Sequence, residues 1–382
     1  MSRDGVLVNT SRTALAFPVL PPAHDGIGDY VGRLAAKLSE DEPCCVFTQA
    51  GSFDSIPGVD IYPAQTALEA DGGLLSLIEQ HPVDRLILQY NPFSYGRWGL
   101  NLRLPTAIKR LRRRFPQLQI GLMVHESIVP ARDWKRRLMR TWQSYQLREL
   151  GAASDVIFFS ISAWVEQYGP WFPGKPIIHA PVGSNIPRIA VSNADAKAHF
   201  GLPPDALVIG AFGSDHESRM WDLTVEAAEA IVARNPKTVL VYAGSAEHRL
   251  RELVRNVPLL ALGRLPADQL SIALSAMDLF LSPFKYGISS RKGSAIVGLQ
   301  HEVATLTTNG PQTDALFVDS GIGLTDANDP DSFVSLAVRI ATSKDDRCAM
   351  ASAGARLYRD VFSWDRVASV FREAFDASEW RQ

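Results

Sequence analysis

The sequence predicts an α/β protein of two doubly wound domains that face each other across a cleft. Apolar runs of strand length alternate with amphipathic helical segments almost from end to end, which is typical of parallel sheets covered by helices. The chain has 382 residues, whereas a single hydrophobic core stops growing at ~250–300 residues. The pattern and the length therefore both favour two domains, each with its own sheet.

The predicted strands are apolar runs bounded by turn-forming residues or helical segments. In the first half they are "GVLVN" at 5–9, "PCCVFTQ" at 43–49, "DRLILQY" at 84–90, "QIGLMVH" at 119–125 and "DVIFFSIS" at 155–162. In the second half they are "ALVIGAFG" at 206–213, "TVLVYAG" at 238–244, "LLALG" at 259–263, "DLFLSPF" at 278–284, "VATLTT" at 303–308 and "GIGLT" at 321–325. Between the two sets, "HAPVGSNIPRIAVSN" at 179–193 is typical of a linker, and the helical pattern "NADAKAHFGLP" begins at its end.

Composition and charge exclude several classes of protein. The chain is 46% hydrophobic and 21% charged, and no apolar run approaches the roughly 20 residues that span a bilayer. A formal net charge of −2 gives no overall positive field for nucleic acid. The three cysteines have neither a disulfide framework nor a zinc-site spacing. Because no leader pattern is visible at the start, the sequence predicts a cytoplasmic protein.

The first candidate residues precede an amphipathic helix. Ligands of open parallel sheets bind beyond the carboxyl ends of the strands, so residues that follow the apolar runs are of most interest. Gly26 and Gly28 would let backbone N–H groups approach a ligand closely, although a tight turn with positive φ explains them equally well. Val31 stands where the third glycine of GxGxxG belongs, so the dinucleotide pattern fails.

His125 and Glu126 lie at the end of another predicted strand. An imidazole there can hydrogen-bond a sugar hydroxyl, and a carboxylate can accept such a bond or take the proton. The alternative is a histidine satisfied by neighbouring backbone beside an exposed glutamate. The position at a strand end favours the functional interpretation.

Arg219 lies in the loop after "LVIGAFG", close to the start of the next helix. A fixed cation beside a helix N-terminus suits a phosphate. The alternative is a surface charge paired with Glu217 or Asp222, as most surface charges are.

The stretch "KYGISSRKGSAIVGL" at 285–299 runs from a polar loop into an apolar helical pattern. Ser289 and Ser290 are good N-cap residues, and Gly293 permits close backbone approach. Arg291 and Lys292 place two cations where the helix dipole is already positive, a conflict that a bound anion would remove. Two solvated loop cations are the alternative, and the misplaced charge favours the anion site.

Two basic segments, at 108–116 and 131–142, interleave cations with apolar and aromatic residues. Such segments can lie on anionic lipid headgroups, which would give a peripheral contact with the inner face of the membrane through 108–140. A solvated helical face explains them equally well.

Taken in order, these motifs resemble the retaining glycosyltransferases of family 4, which have the GT-B fold of two facing Rossmann-like domains. The similar stretches are "DGIGDYVGRLAAKL", "VHE", "PVGSNIP", "YAGSAEHRLRELV" with the run through "LFLSPF", and "FSWDRVASVFREAF". The resemblance implies an acceptor-binding domain at 1–180, a nucleotide-sugar-binding domain at 181–363, and a closing helix at 364–382 that packs back toward the first domain.

The family holds the donor diphosphate with an Arg and a Lys on the loop after the first strand of the second domain. Here the Lys position aligns with Arg219 and the Arg position with Ser214. The family's two glutamates fall on Tyr286 and Ser294, so neither carboxylate is present. A branch of the family has a basic loop that "SSRKG" resembles. The implied donor-binding residues are Gly26, Gly28, Ser214, Arg219, Tyr286, Gly287, Ile288, Ser289, Ser290, Arg291, Lys292, Gly293 and Ser294.

The implied reaction moves a sugar from a nucleoside diphosphate to a hydroxyl of a glycan, a lipid-linked or a small-molecule acceptor, with retention and without a metal or other cofactor. His125 would hold the sugar, Glu126 would serve the acceptor side, and Arg219 would stabilise the leaving diphosphate. The rivals are an epimerase or hydrolase on the same fold and a non-catalytic sugar-nucleotide-binding protein, which the missing glutamates make plausible.

Overall fold

A computed structural model describes residues 11–23 and 25–377 of the chain. The described residues form two compact units. Unit 1 takes the chain up to Pro181 and again from Val367 onward, and unit 2 is Val182–Arg366. Each unit is built on a parallel sheet, so the predicted α/β class is confirmed.

Within the described residues, unit 1 contains one seven-stranded sheet in the order β3-β2-β1-β4-β5-β6-β7. Its elements are β1 Thr13–Ala16, α1 Gly26–Ser39, β2 Cys44–Gln49, β3 Asp60–Ala64, α2 Leu74–Gln80, β4 Arg85–Tyr90, α3 Pro92–Tyr95, α4 Arg103–Arg114, β5 Gln119–Val124, α5 Trp134–Ala153, β6 Val156–Phe159, α6 Ser162–Tyr168 and β7 Ile177–His179. Strands β1, β4 and β6 are buried along their whole length, as expected for parallel strands covered on both faces.

Unit 2 contains a six-stranded parallel sheet, counted over the same described ranges, in the order β10-β9-β8-β11-β12-β13. Its elements are α7 Asn193–His199, β8 Leu207–Gly213, α8 Trp221–Val232, β9 Thr238–Gly244, α9 Glu247–Leu253, β10 Leu259–Ala261, α10 Ala267–Ser275, β11 Leu279–Ser282, α11 Gly293–Gln300, β12 Ala304–Asn309, β13 Gly323–Asp326, α12 Pro330–Thr342 and α13 Lys344–Leu357. The strand numbers fall from β10 to β8 and then rise from β11 to β13, so the topological switch point lies between β8 and β11. Doubly wound sheets bind their ligands at this point.

Several short strands had no counterpart among the predicted runs. The strand next to β2 and β4 is β1, with the sequence "TALA", and the run "GVLVN" lies outside the described residues. The edge strand β3 contains an exposed aspartate and Pro63, which cannot donate a ladder hydrogen bond. These strands are too short or too polar to stand out as apolar runs.

The closing helix α14, Trp364–Asp376, begins in unit 2 and ends in unit 1. The indole N–H of Trp364 donates to the carbonyl of Ser184, 2.9 Å away. Further along, Phe371 packs on Phe158 with ring centroids 4.5 Å apart. Asp376 pairs with Arg85 of β4 at 2.5 Å. None of the helices in the described ranges has the length and apolarity needed to cross a bilayer.

Candidate functional site

The loops that follow β8 and β11 lie side by side. The amide of Lys285 donates to the carbonyl of Ser218 at 2.8 Å, and Arg219 and Phe284 form an antiparallel bridge. Because the two strands are neighbours at the switch point of the sheet, their carboxyl ends bring these loops together. Two of the predicted stretches, the Arg219 loop and the segment at 285–299, therefore meet in one place.

Arg219 is fixed by uncharged acceptors from three elements. Its Nη1 donates to Oγ of Ser282 at the end of β11, 2.8 Å away. Its Nη2 donates to the carbonyl of Phe212 at 2.7 Å and to Oγ of Ser294 at 2.5 Å. These bonds use three of the five guanidinium N–H groups. The other two make no hydrogen bond with any described residue.

The charge of Arg219 has no counter-ion among the described residues. Asp222, one of the two partners expected for a simple surface charge, pairs with Arg249 at 3.4 Å. The guanidinium instead lies over the Phe284 ring, with Cζ 4.3 Å from its centroid. Burial lowers the pKa of Arg219 to about 10, so the side chain is protonated at neutral pH. Arg219 is therefore a preorganised cation that no protein carboxylate neutralises.

The helix that follows begins later than the serines suggest. Helix α11 starts at Gly293 with Lys292 as its N-cap, and no side chain caps it. The prediction that Ser289 or Ser290 caps the helix is therefore wrong. Ser290 instead donates from Oγ to the buried carboxylate of Asp314, 2.5 Å away, which holds its loop in place.

The start of α11 presents groups that an anion can use. The amide of Ser294 has no acceptor among the described residues, and the space where a Gly293 Cβ would stand is open. Lys292 lies nearby, with Nζ 3.4 Å from Oγ of Ser218 and 5.0 Å from the centroid of Phe284. Lys292 and Arg219 thus both pack against this ring. The arrangement combines two cations, a free amide and the positive end of a helix.

Ser289 adds a buried hydroxyl to this loop. The residue is fully buried, and its Oγ has no hydrogen-bond partner among the described residues. Arg291 beside it is half-buried. Burying an unsatisfied hydroxyl costs free energy, and such a group is therefore a candidate ligand contact.

Four other predicted residues lie in these two loops. Gly287 has φ +85°, and a Cβ there would lie 2.5 Å from the amide of Gly310. Ile288 is fully buried in an apolar cluster. Tyr286 is half-buried, and its carbonyl accepts from the amide of Gln312 at 2.8 Å. Ser214 stands exposed directly after β8. The side chain of Ile288 is thus committed to the core, and Gly287 is required by its backbone geometry.

Sequence reasoning missed Gly213 and Ser282. Gly213 has φ +138°, and a Cβ there would lie 2.5 Å from Nη2 of Arg219. Ser282 is fully buried and accepts from Arg219. For Gly213, the only signal in the sequence is its place at the end of an apolar run, just before a polar loop. Nothing local marks Ser282, because its role depends on the pairing of β8 with β11.

In unit 1, His125 directly follows β5 and is buried. Its Nε2 lies 2.8 Å from Oε1 of Gln89, so that Nε2–H donates to the amide oxygen and Nδ1 is left as an acceptor. Burial lowers the pKa of His125 to about 3, which keeps the ring neutral at physiological pH. Tyr30 meets the ring edge-on with centroids 4.9 Å apart. Glu126 follows it and is half-buried.

Gly26 and Gly28 lie in the first turn of α1, where the structure differs from the sequence expectation. Asp25 is the N-cap of α1 and accepts from the amides of Ile27 and Gly28 at 2.8 and 2.9 Å. A Cβ at Gly28 would lie 2.6 Å from the carbonyl of Val19, whereas the space at Gly26 is open. Neither glycine has positive φ. The Gly28 amide is thus already engaged, and close packing explains that glycine.

Within the described ranges, no group of three or more His, Cys, Asp and Glu side chains could hold a metal ion.

No protein-family model matches the sequence, and no curated protein matches it.

Solved structures do resemble the chain. A sucrose-phosphate synthase from Thermosynechococcus elongatus is 16% identical with a TM-score of 0.69, covering 96% of this chain and 100% of that one. WaaG, a glycosyltransferase involved in lipopolysaccharide biosynthesis, is 15% identical with a TM-score of 0.67 and the same coverage. Anabaena HepE, solved in complex with UDP and glucose, is 11% identical with a TM-score of 0.65, again over 96% of this chain and all of its own. At these identities the likeness concerns the fold, and it confirms the predicted GT-B fold.

Proposed function

We propose that the protein is a glycosyltransferase that moves a sugar from a nucleoside diphosphate to a hydroxyl acceptor. The observation that carries this proposal is Arg219, a fixed cation without a counter-ion beside the N-terminus of α11. Its two remaining N–H groups, the Ser294 amide and the Lys292 ammonium suit the oxygens of a diphosphate. The fold likeness adds support, because HepE was solved with UDP and glucose.

The chemistry follows from where charge develops. When the bond between the anomeric carbon and the donor phosphate breaks, negative charge grows on the diphosphate. Preorganised cations and amides stabilise that charge without reorganising, and Arg219 already has its geometry fixed by Ser282 and Ser294. The hydroxyl of the acceptor forms the new glycosidic bond, and its proton passes to the departing phosphate oxygen. No protein base is then required, which is consistent with retention of configuration.

We assign the neutral ring of His125 to the sugar, with Nδ1 accepting a hydroxyl hydrogen, and Glu126 to the acceptor side. The transfer is proposed to need no metal, because the cations of unit 2 supply the positive charge. Activity that disappears with a chelator and returns with added magnesium would contradict this assignment. Synthesis of a glycan on a lipid carrier at the inner face of the membrane is the setting we favour.

A non-catalytic sugar-nucleotide-binding protein is the second candidate. It is favoured by Tyr286 and Ser294, which stand where the similar family carries carboxylates. A donor-hydrolysis assay separates the two, since most transferases slowly pass their sugar to water. Release of free sugar and nucleoside diphosphate supports the enzyme, whereas tight binding without release supports the binder.

The first experiment is a thermal-shift screen against uridine, guanosine, adenosine and thymidine diphosphates. A ligand at 100 times its Kd adds ~2.7 kcal/mol to the stability of the folded state, which appears as a higher Tm. We expect one base to give a clear shift and its nucleoside, which lacks phosphate, to give a much smaller one. If none of the diphosphates raises Tm at millimolar concentration, the proposed function is wrong.

A further inference from the structure

Helix α5 carries a row of exposed apolar side chains along one face. Trp134 is 71% exposed, and Leu138 and Tyr145 are each 52% exposed. At ~100° per residue these three side chains fall within about 40° of one another around the helix. The buried residues Leu147 and Leu150 lie on the opposite side. The row therefore points away from the core of unit 1.

A neighbouring loop extends this apolar surface. Trp98, which is 62% exposed, has φ 58°, a backbone conformation that bulky residues rarely adopt. Leu100 and Leu102 beside it are exposed as well. The loop is fixed to α5, because the indole N–H of Trp142 donates to the carbonyl of Trp98 at 3.2 Å. The side chain of Gln146 also holds this loop by donating to the carbonyl of Gly99 at 2.9 Å.

Cations are interleaved with these apolar side chains. The exposed cations that form no ion pair with any described residue here are Arg97, Arg103, Lys135, Arg137 and Arg140. The basic segment at 108–116 differs, because four of its five cations pair with carboxylates. These pairs are Lys109 with Glu149, Arg110 with Asp71, Arg112 with Asp155, and Arg114 with Glu79. The uncompensated charge thus lies around Trp98 and the start of α5.

We infer that this surface, made of Trp98, Leu100, Leu102, Trp134, Leu138 and Tyr145 with the five cations, docks the protein on an anionic lipid bilayer. Tryptophan and tyrosine prefer the bilayer interface, and leucine side chains gain free energy by entering the acyl region. Each cation near an anionic surface adds ~1 kcal/mol. The segment at 108–116 is not part of the docking surface, and the inference does not depend on the proposed function.

A second copy of the chain fits this surface less well. A symmetric dimer would bring the same patch of both copies together, and so would oppose cations to cations. The nearby carboxylates are already engaged: Asp133 caps α5 and lies 3.7 Å from Arg136, and Asp71 pairs with Arg110. An anionic surface supplies the missing negative charge.

The test is cosedimentation with vesicles of phosphatidylcholine alone and of phosphatidylcholine mixed with phosphatidylglycerol. We expect the protein to bind the anionic vesicles and to remain in solution with the neutral ones. The double variant Arg137→Gln and Arg140→Gln should partition about 30-fold less strongly, from the loss of two charges. The double variant Trp134→Ser and Leu138→Ser should partition onto the anionic vesicles at least about tenfold less strongly, because apolar burial is lost.

The controls are matched changes in unit 2: Arg234→Gln with Arg356→Gln for exposed cations, and Val318→Ser for an exposed apolar residue. They should bind like the unchanged protein. Equal binding to both kinds of vesicle, or unchanged binding by the α5 variants, overturns the inference. A dimer in light scattering that Trp134→Ser and Leu138→Ser dissociates would assign the surface to a second copy instead, and would also overturn it.

Discussion

At the scale of single residues, Arg219 is a cation held by neutral acceptors alone. Phe212, Ser282 and Ser294 fix its orientation without neutralising its charge. Burial disfavours the charged form, which is why the pKa of Arg219 falls to about 10. An anionic ligand would offset that cost, so the residue is better suited to binding than to stability. We therefore expect Arg219→Ala to lower turnover.

His125 gives a prediction about pH. Its pKa is about 3 in the folded protein and ~6.5 in an unfolded chain. Between these values the unfolded chain binds a proton that the folded protein does not, so stability decreases as the pH falls through this range. When the pH falls from about 7.5 to about 5, His125 should lower the free energy of unfolding by about 2 kcal/mol.

Between the same two pH values, the free energy of unfolding of the His125→Gln variant should therefore fall by about 2 kcal/mol less than that of the unchanged protein. The measurement is urea unfolding at each pH. His248→Gln, which changes an exposed histidine of α9, serves as the control. An identical loss of stability in the His125→Gln protein would show that the ring is not held neutral by burial.

At the scale of secondary-structure elements, the long buried strands were predictable, whereas β1, β3 and the start of α11 were not. Buried parallel strands appear as continuous apolar runs such as "DRLILQY", and these coincide with β4 and its counterparts. Ser289 and Ser290 have the chemistry of N-caps, yet the hydroxyl of Ser290 bonds Asp314, which lies 24 residues later in the chain. Capping preference is local, and a tertiary contact overrode it. Helix α11 then begins at Gly293 without a side-chain cap.

Helix α14 gives a prediction about stability. Phe371 is 1% exposed and packs on Phe158, while the Cβ of a residue at Gly121 would collide with Phe375 of the same helix at 2.8 Å. Replacing a buried phenylalanine by alanine costs ~3–5 kcal/mol. We therefore expect Phe371→Ala to lower the free energy of unfolding by that amount, measured by urea denaturation followed through circular dichroism.

The control on the same helix is Glu373→Ala, because Glu373 is exposed and changes at exposed positions usually stay within about 0.5 kcal/mol. Comparable small effects for both variants would mean that α14 is not an integral part of the fold. In that case the final helix could be removed without exposing the apolar face of β6.

At the scale of the whole molecule, the alternation of strands and helices was enough to predict two α/β units and the loops in which to look. It led to Arg219 and to the segment at 285–299, because both follow strands. It could not provide Ser282, whose importance arises only from the pairing of β8 with β11. It also could not distinguish neutralised from uncompensated cations, since the partners of Arg110 and Arg112 are 39 and 43 residues away in sequence.

Diphosphate binding by Arg219 at the start of α11 is the interaction on which the proposed sugar transfer most depends. Calorimetric titration of the best nucleoside diphosphate, its monophosphate and its nucleoside into the unchanged protein and into Arg219→Lys tests this claim directly. We expect the second phosphate to strengthen the free energy of binding by about 1.5–3 kcal/mol in the unchanged protein. The gain should be much smaller in the variant, which lacks the guanidinium fork. Arg234→Lys, an exposed change in the same unit, should behave like the unchanged protein. Equal affinity for diphosphate and nucleoside, or an Arg219→Lys protein that binds all three ligands normally, would contradict the account.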